Sequence, residues 1–243
     1  MKGMILAAGF GTRLAPQTDT LPKALVSIAG TPMIRLAIDA LLRAGCDEII
    51  INAHHFAEQV EDYFRHHEFG VSVHVLRETD ILGTGGGLLN AASLLEKEET
   101  FLLYNADIAC EADLTPLWNA LEGEREAGRR PLAALLVNRR ETRRALLFDA
   151  RMRFMGKEVW MEQGMAVPTD VQRLGFCGVH AVSGDVFRLG FAEGFHDIFD
   201  LYRRGMEQGY VLTGVETDAY WTDLGTLDRI AAHEQHRYGG VSA

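Results

Sequence analysis

The chain has 243 residues, of which 47% are hydrophobic and 24% are charged, and its formal net charge is −10 at pH 7. These values are ordinary for a globular protein with a sizeable core, and the acidity argues against general binding of nucleic acid or of anionic membranes. The cysteines, Cys46, Cys110 and Cys177, lack the spacing of a disulfide framework or a zinc knuckle. With no signal peptide and no apolar run long enough to span a bilayer, we expect a cytoplasmic protein with free thiols.

The first half of the chain alternates between strand patterns and helix patterns. Short buried runs predict strands over 4–7, 48–52, 71–76, 101–104 and 132–137. Helical spacing of apolar residues predicts helices over 32–44, 57–64, 88–95 and 113–127. Such alternation predicts an α/β protein with βαβ units and a mostly parallel sheet that has helices on both faces.

The pattern changes from about residue 139, where the predicted strands are short and no long helix separates them. We expect strands over 146–148, 159–161 and 175–182, which indicates a small β-rich insertion or lid over 139–182. Later patterns predict helices over 184–189, 198–208 and 227–236, with a strand over 210–215. We find no linker, so we expect one domain over 1–243.

A glycine-rich loop follows the first strand, in the stretch Leu6–Leu14 with the letters LAAGFGTRL. Small residues let backbone N–H groups approach a ligand, and successive N–H groups bind anions. Leu14 stands where a dinucleotide-binding fingerprint needs its third glycine, and no Gly-Lys-Ser/Thr follows, so the loop is neither that fingerprint nor a P-loop. A tight turn without a ligand is the alternative for a glycine pair of this kind.

Lys23 follows ten residues after Arg13, in Pro22-Lys23-Ala24-Leu25. Together with Leu6–Leu14, Pro16 and Thr18, this stretch resembles the signature of the sugar-1-phosphate nucleotidylyltransferases. The resemblance covers most of the chain and is weaker over 139–173. It implies a Rossmann-like three-layer αβα sandwich with a mixed, mostly parallel sheet and a small β-rich sugar-binding insertion. The length suits a compact branch that includes N-acetylmuramate 1-phosphate uridylyltransferases and mannose- or heptose-1-phosphate guanylyltransferases.

The resemblance also implies how the loop and its cations act. In that family the loop cradles the triphosphate, and the loop positions that carry this role here are Ala7, Ala8, Gly9, Gly11 and Thr12. The matching cations, Arg13 and Lys23, are expected to stabilise negative charge while a sugar phosphate oxygen attacks the α-phosphorus. This agrees with the chemistry, because nucleotidyl transfer needs positioning and charge neutralisation more than a covalent nucleophile.

Two aspartates are candidate metal ligands. Asp107 follows the predicted strand 101–104 and the adjacent Asn105, and Asp223 lies in Trp221-Thr222-Asp223-Leu224-Gly225-Thr226, which resembles a WxDxGT motif of the family. Mg²⁺ is commonly held by one or two carboxylates together with substrate phosphates, and Mn²⁺ is a possible substitute. The alternative for either aspartate is a helix N-cap.

Base recognition is expected around Glu78 and the run Leu82–Gly87, with Gly83, Thr84 and Gly85 as contact residues. A carboxylate can accept N3–H of uracil or N1–H and N2–H of guanine, whereas adenine offers no equivalent ring N–H. A glycine-rich helix entry beside a surface glutamate is the alternative. For Asn52, His54 and His55 at the end of the second strand we expect a structural role.

The sugar is expected to bind over 139–182, where Gly178 is a candidate for close approach to the sugar. Asn105, which precedes Asp107 by two positions, is a further candidate ligand-binding residue. The better-known thymidylyl- and uridylyltransferases of the family carry a Glu-Lys-Pro element that grips the sugar phosphate, and this chain lacks that tripeptide. Nearby cations could replace it, and they are Lys157, Arg139, Arg140, Arg143 and Arg144.

Several functions remain open on the sequence alone. The first hypothesis is a Mg²⁺-dependent enzyme that joins UTP to N-acetylmuramate 1-phosphate or a related sugar, acting as a monomer or homodimer. GTP with mannose or heptose 1-phosphate is the second, and a non-catalytic regulatory subunit that binds a nucleotide sugar is a third of another class. A dinucleotide-dependent oxidoreductase is disfavoured by the missing third glycine.

Overall fold

The computed structural model describes residues 1–162 and 170–239. Its strands are β1 (Lys2–Leu6), β2 (Ser27–Ile28), β3 (Thr31–Pro32), β4 (Glu48–Ala53), β5 (Ser72–Arg77), β6 (Thr100–Asn105), β7 (Ile108–Cys110), β8 (Pro131–Asn138), β9 (Leu146–Phe148), β10 (Phe154–Lys157), β11 (Gln172–Ser183), β12 (Val211–Glu216) and β13 (Trp221–Asp223). Its α-helices are α1 (Met33–Arg43), α2 (Ala57–His66), α3 (Gly83–Asn90), α4 (Ala92–Leu95), α5 (Thr115–Glu126), α6 (Glu158–Glu162), α7 (Ile198–Glu207) and α8 (Leu227–Tyr238). Turns of 3₁₀-helix lie at Thr12–Leu14, Gln17–Asp19, Lys23–Leu25 and Gly184–Arg188.

Strand β1 lies inside a large mixed sheet with the order β10-β9-β11-β6-β1-β4-β5, and β8 and β12 continue from β11. Strands β6, β1, β4 and β5 run parallel to one another, as the alternation in the first half predicts. The long strand β11 runs antiparallel to β6, β8 and β9, which makes the sheet mixed. The carboxyl ends of β1, β4 and β6 therefore share one edge of the sheet, where open α/β sheets bind ligands.

The core has two layers because consecutive strand residues face opposite sides of the sheet. In β1, Ile5 packs with the cluster on the side of α1 and α5, whereas Met4 packs with the cluster on the side of α3 and α7. A third cluster, which includes Leu14, Met33 and Leu224, lies beneath the glycine loop. The predicted three-layer α/β class is therefore confirmed.

Two elements differ from the prediction. Helix α3 includes residues 85–87, whereas the sequence pattern predicts a helix only from Leu88. The glycines at these positions let the helix pack closely against another part of the backbone. The run 159–161 was predicted as a strand, but it lies in helix α6, and Phe154–Lys157 supplies the strand instead. Three apolar residues in a row do not distinguish a buried helix segment from a strand.

The β-rich region over 139–182 extends the large sheet. Strand β9 pairs antiparallel with β10 and with the first residues of β11. Residues 163–169 of the predicted insertion lie outside the described residues. Among the helices described, none combines the length and the apolar character needed to cross a bilayer.

His180 is a buried titratable group in the centre of β11. Its side chain is 1% exposed, and the Tyr202 hydroxyl lies 2.5 Å from its Nδ1. Burial lowers the pKa of His180 to about 3, whereas an unfolded histidine titrates near 6.5. Between these values the unfolded chain binds a proton that the folded chain does not, so folding stability falls as the pH drops below about 6.5.

We predict that His180→Gln makes the unfolding free energy less dependent on pH, by about 1.4 kcal/mol per pH unit between pH 4.5 and 6. Urea unfolding at a series of pH values measures this slope. His66→Gln is the matched control, because His66 is an exposed histidine on α2 and its loss leaves the slope nearly unchanged. Equal slopes for His180→Gln and the wild type would show that His180 is protonated in the folded state.

Candidate active site

The loop after β1 lies at the carboxyl edge of the sheet. Gly11 has a φ of +68°, and a Cβ on it would lie 2.8 Å from the Cβ of Lys23. Both the conformation and the close approach require glycine. The Thr18 hydroxyl donates to the Gly11 carbonyl over 3.0 Å. The loop and the segment that carries Lys23 are therefore held against each other.

The outer side of this loop carries backbone donors. Gly9 and Thr12 are exposed, and over the residues that the structure describes no protein group accepts from the N–H groups between Ala8 and Thr12. Successive unpaired N–H groups form an anion-binding concavity. Ala7 is a correction to the predicted cradle, because its N–H donates to Asn52 Oδ1 over 2.9 Å inside the protein.

Lys23 and Asp107 form an ion pair through Nζ and Oδ2 beside the loop. The side chains are 14% and 26% exposed, so both remain reachable from solvent. A cavity of about 60 Å³ lies next to the pair, and its lining consists of Leu6, Ala7, Gly9, Lys23, Ala24, Met33, Ala106 and Asp107. The loop, the predicted cation and the first predicted carboxylate therefore line one cavity.

A short antiparallel pairing brings the backbone of the second aspartate next to that of the first. Strand β13 pairs with β7 so that Asp223 stands opposite Ile108, the residue after Asp107. The Leu224 N–H donates to the Asp107 carbonyl over 2.7 Å. Two residues far apart in the chain thus meet at the carboxyl edge of β6, as the sequence analysis expects.

Arg13 reaches the turn that follows Asp223. A Cβ added to Gly225 would lie 2.6 Å from Arg13 Nη2 and 3.0 Å from Asp223 Oδ1. Gly225 therefore leaves the space that the guanidinium occupies. Arg229, on helix α8, forms an ion pair with Asp223.

The two aspartates fit a magnesium site of the kind that substrate completes. Among the described residues, no group of three or more His, Cys, Asp or Glu side chains could hold a metal ion by itself. Two carboxylates next to an anion-binding loop match the preference of Mg²⁺ for one or two carboxylates plus phosphate oxygens. The donors are all oxygens, which disfavours zinc.

Glu78, the expected base contact, is a buried carboxylate with partners inside the protein. Its side chain is only 4% exposed. Its Oε1 accepts from Asn52 Nδ2 over 2.7 Å, and its Oε2 accepts from the Leu82 N–H over 3.1 Å. A buried carboxylate needs such donors, and both oxygens of Glu78 have one inside the protein.

The start of α3 is held by residues just before and at the start of α7. The Gly85 N–H donates to the His196 carbonyl over 2.8 Å, and the Thr84 hydroxyl accepts from the Ile198 N–H over 2.9 Å. A Cβ on Gly83 would lie 2.6 Å from the His196 carbonyl oxygen. These predicted base-contact residues therefore have packing roles, and the N–H groups of Gly83 and Thr84 stay available at the helix start.

Asn105 and Gly178 meet next to the aspartates. Gly178 has a φ of +74°, and a Cβ on it would lie 2.9 Å from Asn105 Nδ2. It sits where the pairing of β11 with β8 shifts register, between Phe176 and His180. The structure thus brings these two candidate binding residues together.

One contact in the site, between Arg140 and Trp221, joins residues that no sequence motif links. The Arg140 guanidinium stacks 3.9 Å from the centre of the Trp221 ring, and the Trp221 indole N–H donates to the Cys177 carbonyl over 2.6 Å. The sequence analysis names Arg140 only as one of several cations. The pairing with Trp221 has no sequence signal, because 81 positions separate the two residues.

Comparison with known proteins decides the family. Residues 2–144, more than half of the chain, match the family described as nucleotidyl transferase. The chain belongs to this family. The mannose-1-phosphate guanyltransferase of Kluyveromyces lactis is 41% identical over 114 residues, which are 46% of this chain and 32% of that protein. The enzyme of the same name from Saccharomyces cerevisiae is 40% identical with the same coverage. The match therefore spans about a third of these relatives' length.

Solved structures share the fold of this nucleotidyl transferase over nearly the whole chain. A putative glucose-1-phosphate thymidylyltransferase from Bacillus anthracis, in complex with a sucrose, has a TM-score of 0.76 at 22% identity and covers 100% of this chain and 97% of its own. HddC from Yersinia pseudotuberculosis, complexed with GMP-PN, has a TM-score of 0.72 at 21% identity, with coverage of 97% and 99%.

We predict that Gly225→Ala weakens binding of a nucleoside triphosphate by about tenfold, because the new methyl group displaces Arg13 and costs one charge-assisted contact with phosphate. Titration calorimetry with the triphosphate measures the affinity. Gly123→Ala is the matched control, since a Cβ there meets nothing within 4 Å in helix α5. That control keeps the affinity and raises stability by about 0.5–1 kcal/mol. Unchanged affinity in Gly225→Ala would remove Arg13 from the phosphate site.

Proposed function

We propose that the protein transfers a nucleotidyl group from a nucleoside triphosphate to a sugar 1-phosphate and releases pyrophosphate. A phosphate oxygen of the sugar attacks the α-phosphorus, and the bond from that phosphorus to the oxygen bridging the β-phosphorus breaks. The observation that carries the proposal is the meeting of the open N–H loop, Lys23, Asp107 and Asp223 at one edge of the sheet. These groups neutralise and position phosphates, which is what such a displacement requires.

Lys23 and Arg13 supply the positive charge in this proposal. Lys23 has three donors, so its ammonium can contact a phosphate oxygen while it stays next to Asp107. The planar guanidinium of Arg13 can bind two phosphate oxygens at once. Neither residue has to act as a base, because the attacking phosphate oxygen is already negative.

Asp107 and Asp223 would hold Mg²⁺, with Mn²⁺ as a possible substitute. When bound by these carboxylates, the ion would supply positive charge that stabilises negative charge on the phosphates. The Arg229 ion pair orients the carboxylate of Asp223, and the loop that carries Asp107 is tied to β13 by the Leu224 N–H.

For the substrates, we favour GTP with mannose 1-phosphate or a heptose 1-phosphate. The relatives named above are mannose-1-phosphate guanyltransferases, and one structural neighbour was solved with GMP-PN. UTP with N-acetylmuramate 1-phosphate stays the alternative from the sequence analysis. The glycine run does not discriminate between the two pairs, because Gly83 and Gly85 each lie close to residues 196–197 of the protein itself.

We predict pyrophosphate release with GTP and a manno-configured sugar 1-phosphate in the presence of Mg²⁺. Each of the four nucleoside triphosphates is tested against mannose, heptose, glucose and N-acetylmuramate 1-phosphates. Asp107→Asn lowers kcat by about 100-fold or more through loss of metal-assisted charge stabilisation. Asp113→Asn is the control, because the exposed Asp113 side chain accepts from the Thr115 N–H at the start of α5 and an asparagine oxygen can accept the same bond.

The outcomes of this assay separate the hypotheses. Turnover with UTP and N-acetylmuramate 1-phosphate alone would establish the alternative substrates. Binding of nucleotides without turnover of any pair would favour a regulatory subunit over an enzyme. A normal rate in Asp107→Asn would remove that carboxylate from the metal site.

Arg140 is the cation that we propose for the phosphate of the sugar substrate. Its guanidinium donates to the Phe176 carbonyl over 2.5 Å and to Asn138 Oδ1 over 2.7 Å, which fixes its plane against Trp221. A cavity of about 320 Å³ opens beside it, lined by Arg139, Arg140, Glu141, Thr142, Ala145 and Arg173.

The neighbouring arginines of that cavity are already paired. Arg139 pairs with Glu216, and Arg173 pairs with Glu158. Arg140 has no carboxylate partner within the described part of the chain, so its remaining donors are available to an anion.

We predict that Arg140→Lys raises the KM for the sugar 1-phosphate about tenfold and leaves the KM for the triphosphate nearly unchanged. Lysine keeps the charge but loses the planar fork and the stack on Trp221. Steady-state kinetics with each substrate varied in turn measures both constants.

Arg130→Lys is the matched control, because Arg130 stacks 3.9 Å from the Tyr210 ring at the opposite end of β8. If Arg140→Lys left the KM for the sugar 1-phosphate unaltered, another group would hold that phosphate.

A further inference from the structure

A buried chain of hydrogen bonds joins the glycine loop to the start of α3. It runs from the Ala7 N–H to Asn52 Oδ1 over 2.9 Å, and from Asn52 Nδ2 to Glu78 Oε1 over 2.7 Å. It ends where the Leu82 N–H donates to Glu78 Oε2 over 3.1 Å. Asn52 is 1% exposed and Glu78 is 4% exposed, so water does not substitute for these bonds.

We call this chain of hydrogen bonds the relay. The groups at its two ends determine the direction of every hydrogen bond in it. Both ends are backbone N–H groups, of Ala7 and Leu82, which can only donate. The relay therefore needs one amide and one carboxylate between them, in either order. A relay of two amides leaves two donors facing each other, and a relay of two carboxylates leaves two acceptors facing each other.

Helix α3 is packed directly onto the relay. A Cβ on Gly87 would lie 2.5 Å from Asn52 Nδ2 and 2.8 Å from Glu78 Oε1. The backbone of α3 therefore approaches the relay as closely as glycine permits. The position of the helix is tied both to Glu78 at its N-terminus and to the surface formed by the two side chains.

We infer that Asn52 and Glu78 are positioning residues, which fix the separation between the glycine loop and the N-terminus of α3. This inference rests on the proposed function, in which the loop holds the triphosphate and the α3 region lies near the base. A nucleotide that bridges the two has its α-phosphorus placed by their separation. A small error in such placement slows a displacement even when the nucleotide still binds.

The relay can be tested by exchanging the amide and the carboxylate between positions 52 and 78. Glu78→Gln alone and Asn52→Asp alone each leave one mismatched pair in the buried relay. The double variant Asn52→Asp with Glu78→Gln restores every bond with the order reversed. The new amide at position 78 donates to the new carboxylate at position 52 and accepts from the Leu82 N–H, while that carboxylate accepts from the Ala7 N–H. The double variant also keeps the total number of carboxylates.

We expect each single variant to lower kcat about 10- to 100-fold, with a smaller change in the KM for the triphosphate. The double variant recovers kcat to within about threefold of the wild type. Steady-state pyrophosphate release gives both constants, and thermal unfolding shows whether each variant is folded. Glu68→Gln is the control for the same change at an exposed site, and it leaves all values unchanged.

Two results would overturn the inference. One is a double variant no faster than the slower single variant while its melting temperature has recovered. The other is a loss of discrimination between guanine and uracil nucleotides in Glu78→Gln that the second substitution does not restore, which would show that Glu78 contacts the base.

Failure of the proposed function gives a different pattern. In that case the wild type turns over no substrate pair, and triphosphate binding by calorimetry becomes the readout for the same four proteins. Weakened binding in both single variants and recovery in the double variant would still support the relay, whereas equal binding together with equal melting temperatures in all four would refute it.

Discussion

The pairing of β13 with β7 is the contact on which the candidate site depends. Each strand contributes three residues, and Asp223 stands opposite Ile108. The Leu224 N–H donates to the Asp107 carbonyl, so the backbones that carry the two carboxylates are bonded to each other. Arg13 lies against Gly225 in the next turn, so its position depends on the same pairing.

Much of the fold could be predicted because its signals are local. The buried runs that form β1, β4 and β6, and the apolar face of α1, are each contained in a dozen residues. Strands β7 and β13 were not predicted, since three residues carry too little pattern and their stability comes from pairing across the chain. Helix α6 was predicted as a strand, because it too is so short that its residues carry little pattern.

For the candidate site, the sequence predicts which groups converge better than it predicts what each group does. Lys23, Asp107 and Asp223 lie at one edge of the sheet as expected. Glu78 lies near the expected place but is turned inward. A residue type and its spacing reveal that a carboxylate is needed, whereas burial and the direction of a side chain depend on the packed neighbours. The Asn52 side chain that turns Glu78 inward is 26 positions away.

The β7–β13 pairing also has a consequence during synthesis of the chain. A nascent chain that ends before residue 221 already contains the N–H loop, Lys23 and Asp107, but it lacks Asp223, Trp221 and Arg229. Such a chain can attract phosphate without the second carboxylate that the proposed transfer requires. In the proposed transfer both carboxylates are required, so a chain competent for it exists only after β13 has been synthesised and has paired with β7.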